Sequence, residues 1–420
     1  MSPGTSIDNP SSDARESPIA AGFVTPPDRW LAALVQRNLT RASVRLELWD
    51  GQLAPGAPES GIADVVIADR ATLIRLALNP DLWFGEAYMS GRAVVRGNLH
   101  AAVESLMRAE SPKQSWLAKI AATVALPNTR SAARRNVHEH YDLGNDFYRL
   151  WLDRDLVYTC AYFPDPSVSL EAAQTAKLDL VCRKLDLRAG ETVVEAGCGW
   201  GALALHMARH YGVMVKAFNV SREQLAHART RARQEGLAGR VEFIEDDYRN
   251  VTGRYDAFVS VGMLEHVGLR DYRTLGTLLE RILRRDGGRG LLHFIGRDAP
   301  RPLNAWIRRR IFPGAYPPTI AEVATNILMP SGMSIVDIEN LRLHYARTLE
   351  HWSHRFAAAE DQVRAMFGEE FRRAWELYLA GSRAAFETGW LQLFQIVFTP
   401  FESRPPMWTR AELYESEVRV

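Results

Sequence analysis

Apolar and polar positions divide the chain into two regions of different pattern. From about Glu191 onwards, short runs that are apolar at nearly every position alternate with longer stretches that repeat apolar residues at helical spacing. The short runs include TVVEAG, VMVKAFNV, RVEFIEDD, YDAFVSVG and GLLHFIG, and the helical stretches include ALALHMARHY, REQLAHARTRARQEG and YRTLGTLLERILRR. Strands that are apolar on both faces and alternate with helices are typical of a parallel sheet covered on both sides. The pattern therefore predicts a doubly wound, Rossmann-like α/β domain.

The preceding region predicts a smaller N-terminal α+β domain over residues 28–115. Helical spacing is clear in RWLAALVQRNL, ATLIRLAL and LHAAVESLMRA, whereas VRLELWDG and ADVVIAD predict strands. Residues 116–135 predict a linker, for which a solvated helix is favoured over one that contacts a membrane. The α/β domain then covers residues 136–405. Residues 1–27, rich in Ser, Pro and Asp, predict a disordered tail, and residues 406–420 a C-terminal tail.

Composition and charge exclude several classes of protein. The 420 residues are 47% hydrophobic and 24% charged, which is ordinary for a globular protein, and no apolar run approaches the roughly 20 residues of a membrane span. A formal net charge of +1 provides no overall attraction for nucleic acid, so no such partner is expected. The three cysteines, Cys160, Cys182 and Cys198, lack the paired spacing of a metal site or a disulfide framework. We therefore expect no metal and a cytoplasmic location.

The strongest local motif is the segment VVEAGCGWG, which runs from Val193 to Gly201. A buried strand leads into three alternate glycines and then into a helix, an arrangement that lets the backbone approach a ligand closely. A dinucleotide loop would carry its third glycine one residue later, and a carboxylate after the second strand, where this chain has AFNV. The spacing is instead similar to that of S-adenosylmethionine-dependent methyltransferases. The alternative is a glycine-rich turn that binds nothing.

Ten segments, in order and including the glycine motif, resemble the family of cyclopropane-fatty-acyl-phospholipid synthases and mycolic acid cyclopropane synthases. These are class I methyltransferases that use S-adenosylmethionine. The likeness covers roughly residues 136–400, and EAYMSG near Glu86 extends it weakly into the N-terminal domain. An ordered set of motifs is far more specific than any one of them. The segments are HEHYDLGNDFYRLWLD, VYTCAYF, EAGCGWG, NVSREQ, DDYRN, SVGMLEHVG, LLHFIG, IFPGAYPP, ENLRLHYARTLEHW and FQIVF.

The resemblance implies a reaction and a set of catalytic residues. The double bond of an unsaturated fatty-acyl chain of a phospholipid would take up the methyl group of S-adenosylmethionine. Loss of a proton from that methyl would then close a cyclopropane ring, with a bound bicarbonate ion as the base. The positions that match the family's bicarbonate ligands are Cys160, Glu265, His293, Ile295 through its backbone, and Tyr345. Taken singly, His293, Cys160 and Tyr345 could each be ordinary buried core residues.

The resemblance also implies a set of cofactor contacts. They are Tyr158, Thr159, Gly197, Gly199, Asn219, Gln224 and Tyr248. Two of them have structural alternatives, because Ser221-x-x-Gln224 is also a capping-box pattern and Tyr248 could stack on adenine or merely pack. The chain departs from the family's usual residues at Glu195, Asn219, Thr159 and Phe294. The last of these lies between two bicarbonate-ligand positions.

The segment RPLNAWIRRRIFPGAYPPTIAEV suggests how a lipid reaches the site. Arg308, Arg309 and Arg310 stand beside Trp306, Ile307, Ile311 and Phe312. Interleaved basic and aromatic residues favour peripheral contact with phospholipid at the inner face of the membrane over a merely solvated basic helix. A homodimer is a further expectation.

Three alternatives to cyclopropane synthesis stay open in the sequence. The product could be a methyl- or methylene-branched or otherwise modified acyl chain. The chain could be a small-molecule N-methyltransferase on the same scaffold, although the bicarbonate-ligand residue types argue against that. A lipid-binding protein without catalytic activity is disfavoured because the glycine motif is intact.

Overall fold

The computed structural model of the protein describes residues 22–109, 143–406 and 408–414. The predicted linker, residues 116–135, lies outside the described residues, as do residues 1–21 of the predicted N-terminal tail. The first helix begins at Pro26, just inside that predicted tail, because Thr25 and Asp28 form a capping box at its start. A short helix, Ala411–Tyr414, lies within the predicted C-terminal tail.

The N-terminal domain is a three-stranded sheet covered by helices. Strands β1 (Val44–Glu47) and β2 (Ala63–Ile67) are parallel, and β3 (Ala93–Gly97) pairs antiparallel with β2. Alternate residues of β1 and β2 are buried, so one face of each strand packs against the core of this domain. The helices are Pro26–Thr40, Arg70–Leu78, Pro80–Met89 and Leu99–Ala109. The sequence pattern missed Pro80–Met89 and β3.

The larger domain is built on a seven-stranded, mostly parallel sheet in the order β6-β5-β4-β7-β8-β10-β9. Its strands are β4 (Thr192–Ala196), β5 (Met214–Asn219), β6 (Val241–Glu245), β7 (Ala257–Val261), β8 (Arg289–Gly296), β9 (Met333–Asn340) and β10 (Gln392–Pro400). β10 runs antiparallel to both of its neighbours, β8 and β9, and all nine of its residues are buried. Residues of β4 alternate between two apolar cores, with Val193 in one and Val194 in the other. The sheet is therefore covered on both faces, which confirms the predicted doubly wound α/β class.

Helices surround this sheet, and some of them contribute to a cluster of buried aromatic side chains. The helices are Asn145–Arg149, Leu170–Lys184, Ala202–His210, Arg222–Gln234, Tyr272–Ile282, Ala305–Arg310, Ile320–Val323, Arg342–Ala358, Glu360–Phe367 and Glu369–Thr388. Buried aromatic side chains form one cluster, which includes Trp151 just after the first of these helices, Trp352 in the eighth and Trp375 in the tenth. The strand β8 and the helix Arg342–Ala358 carry predicted catalytic residues to this cluster.

The two domains pack directly on one another. The helix Glu369–Thr388 contacts both Pro80–Met89 and Leu99–Ala109. At this contact the hydroxyl of Tyr88 donates to a carboxylate oxygen of Glu376 at 3.0 Å. A Cβ on Gly85 would lie 2.3 Å from the ring of Trp306, so the glycine allows helix and ring to touch. The N-terminal domain thus supports the segment that follows β8.

Candidate active site

The glycine motif forms the turn between β4 and the helix Ala202–His210. All three glycines adopt positive φ angles, 82° at Gly197, 53° at Gly199 and 84° at Gly201, a region that other residues rarely adopt. A Cβ at Gly201 would lie 2.7 Å from the ring of Phe243, so this glycine is needed for packing. A Cβ at Gly199 would meet nothing within 4 Å. The turn therefore closes tightly on one side and leaves open space on the other.

That open space is a cavity of about 180 Å³ at the carboxyl ends of β4, β5 and β7. Ligands of doubly wound sheets bind at this edge. All the residues predicted to contact the cofactor line it, namely Tyr158, Thr159, Gly197, Gly199, Asn219, Gln224 and Tyr248. The predicted bicarbonate ligands are absent from its lining. The structure therefore separates the two predicted groups of residues into two neighbouring sites.

The end of β5 shows which part of the predicted capping box forms. The hydroxyl of Ser221 accepts a hydrogen bond from the backbone nitrogen of Gln224 at 3.4 Å, as a cap should. The Gln224 side chain does not complete the box, because its oxygen accepts from Nδ2 of Asn219 at 2.7 Å. The same Nδ2 donates to the carbonyl of Gly199 at 3.2 Å. Asn219 therefore links the glycine turn to Gln224 beside the cavity.

Two buried ionisable residues that were not among the predicted cofactor contacts also line the cavity beside the glycine turn. Lys177 is 1% exposed, lines the cavity and donates from Nζ to the hydroxyl of Thr159 at 3.0 Å. Burial lowers the pKa of this lysine to about 8. Burial also raises the pKa of Glu195, at the end of β4, to about 8, while the charge of Lys177 opposes that rise. The pair places one cation and one carboxyl group against the cavity.

A signal for Lys177 was present in the sequence. Its helix, Leu170–Lys184, buries Leu170, Ala173, Gln174, Lys177, Leu178 and Val181, which follow helical spacing. A lysine on the apolar face of an amphipathic helix requires a polar partner, because burial of an uncompensated charge is costly. That spacing would have marked Lys177 as a candidate site residue.

The turn after β6 supplies the opposite wall of the cavity. Asp246, Asp247, Tyr248 and Arg249 all line it. Asp247 caps the short helix Tyr248–Asn250 by accepting from the backbone nitrogen of Arg249 at 3.0 Å. Tyr248 is buried, with the Arg249 guanidinium carbon 5.4 Å from its ring centroid. Of these four residues, only Tyr248 was predicted from the sequence.

The second group of predicted residues gathers around the ends of β7 and β8. Glu265 lies in the turn after β7, and its Oε1 accepts a hydrogen bond from the backbone nitrogen of Ile295. Its other oxygen, Oε2, is buried and has no partner among the residues that the structure describes. Burial raises the pKa of this carboxyl group to about 7, and the Ile295 hydrogen bond opposes the rise.

His293 lies two residues before Ile295 on the same strand. Its ring is 2% exposed, and Nδ1 contacts the amide nitrogen of Gln395 at 3.0 Å. Its Nε2 is buried and is not hydrogen-bonded to any described residue. Phe294, between the two, faces the opposite side of β8, where its ring lies 5.9 Å from that of Phe394. The Phe294 side chain therefore does not enter the site.

Cys160 and Tyr345 belong to the aromatic cluster beside these residues. The Cys160 sulfur is fully buried and 4.0 Å from the carbonyl of Leu341, the residue at the start of the helix that carries Tyr345. Leu341 donates its backbone nitrogen to Leu393, which pairs with Ile295. The Tyr345 ring stacks on Phe386 with centroids 4.5 Å apart. These contacts connect Cys160, Tyr345 and Ile295, so the structure brings the predicted catalytic group together.

The basic and aromatic segment after β8 is oriented differently from the prediction. Trp306 and Ile311 are 3% exposed and belong to the aromatic cluster, and Arg310 forms two hydrogen bonds of 2.8 and 2.6 Å with Glu86. The interpretation of Trp306 and Ile311 as membrane-facing is wrong, because packing in the aromatic cluster buries both side chains. Arg308, Arg309 and Arg310 all stay exposed, although Arg309 and Arg310 both pair with Glu86. In the described part of the chain, no helix is long and apolar enough to cross a membrane.

The doubly wound sheet, the glycine turn and the cavity in front of it define a class I S-adenosylmethionine-dependent methyltransferase. Comparison with known proteins gives the family. The family model of mycolic acid cyclopropane synthetases matches residues 128–396, and the chain belongs to this family.

Individual relatives agree with this assignment. The chain is 36% identical over 393 residues to a probable fatty acid methyltransferase of Pseudomonas putida, which covers 88% of this chain and 96% of that protein. It is 38% identical over 262 residues to the cyclopropane-fatty-acyl-phospholipid synthase of Escherichia coli, which covers 62% of this chain and 66% of that protein. A crystal structure of mycolic acid cyclopropane synthase CmaA1 complexed with SAH and CTAB matches with a TM-score of 0.60 and 31% identity. That match covers 63% of this chain and 97% of CmaA1.

Proposed function

We propose that this methyltransferase converts the double bond of unsaturated phospholipid acyl chains into a cyclopropane ring, with a bicarbonate ion as the base. The observation that carries the proposal is a pair of buried polar atoms at the ends of β7 and β8. Oε2 of Glu265 and Nε2 of His293 both lack a partner among the described residues. Unpartnered buried polar atoms are costly, so this pair supports a site for a small polar guest.

The residues around the cavity fit S-adenosylmethionine. The cofactor supplies an electrophilic methyl group. Gly199 leaves room for close approach of the ligand to the backbone, while Asn219 and Gln224 offer polar side chains at the end of β5, where ribose hydroxyls bind in such folds. Thr159, whose hydroxyl accepts a hydrogen bond from Lys177, lines the cavity together with Tyr158. These side chains would bind and orient the cofactor.

Two of the proposed catalytic residues are sequence neighbours of residues that line the cofactor cavity. Thr159 and His266 line the cavity, whereas their neighbours Cys160 and Glu265 belong to the second group. A bicarbonate ion there would supply a weak base close to the transferred methyl. Glu265, with a pKa of about 7, can share a proton with such an anion, and His293 and Tyr345 carry hydrogen-bond donors.

Aromatic side chains supply the other requirement of the reaction, which is a dry site that tolerates positive charge. Attack of the alkene on a methyl group leaves a cation on the acyl chain. The rings of Tyr158 and Tyr345 lie 5.4 and 6.0 Å from that of Trp352. The faces of such rings attract cations, most strongly where water is excluded. The aromatic cluster would therefore stabilise the cation until the proton is lost and the ring closes.

A branched acyl product is the second candidate. A relative that covers 88% of this chain is named a probable fatty acid methyltransferase, whereas the cyclopropane-fatty-acyl-phospholipid synthase of Escherichia coli covers 62% of it. Without ring closure, loss of a chain proton from the same cation would give a methyl-branched alkene. A 1,2-hydride shift followed by loss of a proton from the new methyl group would give a methylene-branched chain. The described aromatic cluster suits the cation of either route.

We also propose peripheral contact with the cytoplasmic face of the membrane. The substrate would be a phospholipid, and the exposed Arg308 and Arg309 lie on the segment between β8 and β9. Guanidinium groups attract anionic head groups at a membrane surface. Vesicle flotation with and without anionic phospholipid, compared between the wild type and R308S/R309S, tests this contact. Loss of flotation in the variant is expected, and equal flotation would contradict it.

The activity is tested with purified protein, S-adenosylmethionine and phospholipid vesicles. With vesicles of monounsaturated phospholipid, each modified acyl chain should gain one CH2 unit. The protein should release one S-adenosylhomocysteine for each chain modified. Matched vesicles of saturated phospholipid should show neither change. Mass spectrometry that finds no gain on the unsaturated lipid, with cofactor binding shown by calorimetry, would overturn the proposed reaction.

A further inference from the structure

A row of polar side chains crosses the sheet behind His293. In the register of the three last strands, Gln395 of β10 lies opposite His293 of β8 on one side and opposite Glu339 of β9 on the other. Lys184, at the end of the helix Leu170–Lys184, covers the row, donating from Nζ to Gln395 Oε1 at 2.6 Å and to Glu339. Lys184 and Gln395 are both fully buried. The row therefore connects a buried ammonium group to the imidazole of His293.

The chemistry of the row determines how the Gln395 amide is oriented. An ammonium group has only donors, so the amide atom that faces Lys184 must be the oxygen. The amide nitrogen, which also has only donors, then faces Nδ1 of His293 at 3.0 Å. Contact with the Glu339 carboxylate favours the charged form of Lys184, although burial lowers the pKa of this ammonium. The orientation of the amide therefore follows from the donor chemistry of Lys184 alone.

The same reasoning determines where the proton of His293 lies. Nδ1 must accept from Gln395, because a proton on Nδ1 would place two donors in contact. Burial and the charges of Lys177 and Lys184 also lower the pKa of the imidazole well below its usual range. A neutral ring whose Nδ1 accepts carries its proton on Nε2. Nε2 is the buried atom that lacks a partner among the described residues.

We infer that Lys184 and Gln395 are positioning residues that hold His293 as the Nε2–H tautomer, so that it donates a hydrogen bond to the base bound beside Glu265. The inference rests on the proposed function, because it concerns the same anion site. With the other tautomer, Nε2 would carry a lone pair and could not donate a hydrogen bond to the negatively charged oxygens of the anion. Lys184 and Gln395 therefore determine that His293 presents a donor to the anion site, although neither residue contacts the substrate.

Nitrogen NMR of the full-length protein tests the tautomer directly. Histidine labelled with 15N at both ring positions distinguishes protonated from unprotonated nitrogens, and subtraction of the spectrum of H293N identifies the signals of His293. The wild type should show an unprotonated Nδ1 and a protonated Nε2. A protonated Nδ1 in the wild type would overturn the inference.

Two variants of Gln395 test whether this residue determines the tautomer of His293. In Q395E, a carboxylate accepts from both Lys184 and His293, so the proton should move to Nδ1. In Q395M, which has neither donor nor acceptor of this kind, the single tautomer should give way to a mixture. Y414F is the matched control, because Tyr414 donates to the outer oxygen of Glu339 at 2.9 Å and leaves Gln395 untouched. Spectra of both Gln395 variants that match the wild type would overturn the role of Gln395.

Turnover provides the second readout. Q395E should lower kcat about 10²-fold, the typical effect of removing one preorganised donor. Binding of S-adenosylhomocysteine should stay unchanged, since Gln395 is absent from the lining of the cofactor cavity. Unchanged kcat with a reversed tautomer would contradict the positioning role. The spectra need neither lipid nor cofactor, so a failed methyl-transfer assay would reject the proposed function without affecting the tautomer result.

Discussion

The carboxylate of Glu265 accepts a hydrogen bond from the backbone nitrogen of Ile295 and so joins the turn after β7 to the end of β8. This contact uses one carboxylate oxygen and leaves the other buried without a partner in the described structure. The arrangement suits a group that orients a bound anion, because its position is set by the backbone while one oxygen stays available.

Replacement of Glu265 by glutamine should impair catalysis and leave cofactor binding intact. The amide keeps the size of the side chain but cannot share a proton with the base, so kcat should fall about 10²-fold or more. Calorimetry should show the wild-type affinity for S-adenosylhomocysteine, because Glu265 does not line the cofactor cavity. An unimpaired E265Q variant would reject the anion site.

The pH dependence of stability should change in the same variant. Glu265 has a pKa of about 7 in the folded protein, against a reference value of 4.5, so the folded state holds this proton more tightly than the unfolded state. Stability from this group is fully present below pH 4.5 and is lost as pH rises towards 7. The loss amounts to about 3 kcal/mol.

E265Q lacks this titration. The unfolding free energy of E265Q, measured by denaturant titration, should therefore rise relative to that of the wild type as the pH increases across the same window. Parallel curves for the two proteins would show that the carboxyl group is not perturbed by burial.

Replacement of Lys177 by methionine should weaken cofactor binding. The variant removes the donor that holds the Thr159 hydroxyl and the cation that faces Glu195. We expect the Kd for S-adenosylhomocysteine to rise about tenfold, which is about 1.4 kcal/mol. Lys216, half-exposed and opposite Glu242, provides the control K216M. Equal affinities for K177M, K216M and the wild type would show that Lys177 does not position the cofactor site.

Replacement of Gly85 by alanine should destabilise the contact between the domains. The new methyl group would lie 2.3 Å from the Trp306 ring, and such overpacking costs about 1–3 kcal/mol. A Cβ on Gly381, in the middle of the helix Glu369–Thr388, would meet nothing within 4 Å. G381A should therefore gain about 0.5–1 kcal/mol from helix propensity. Chemical denaturation that ranks G85A as stable as G381A would contradict the packing described for Trp306.

The sheet could be predicted from the sequence because its central strands are apolar on both faces and separated by regular helices. Two N-terminal elements could not. The helix Pro80–Met89 carries a glycine at its centre, which the pattern counts against a helix but which packing on Trp306 requires. Strand β3 buries only its first residue, Ala93, and so shows no alternation.

The candidate site was predictable where residues follow one another in motifs, as in Tyr158 and Thr159. Lys177 was missed because buried lysines are rare, although its helical spacing marked it. The contact of Gln395 with His293 depends on the pairing of strands that lie 102 positions apart, and a single sequence does not specify that register.

The most direct test of the proposed reaction is the 13C NMR spectrum of phospholipid that has been treated with the protein and S-adenosylmethionine labelled in its methyl carbon. One spectrum locates the transferred carbon in the product. We predict that the label appears as the methylene carbon of a cyclopropane ring. A label found as a methyl or an alkene carbon, or no label in the lipid, would contradict the account.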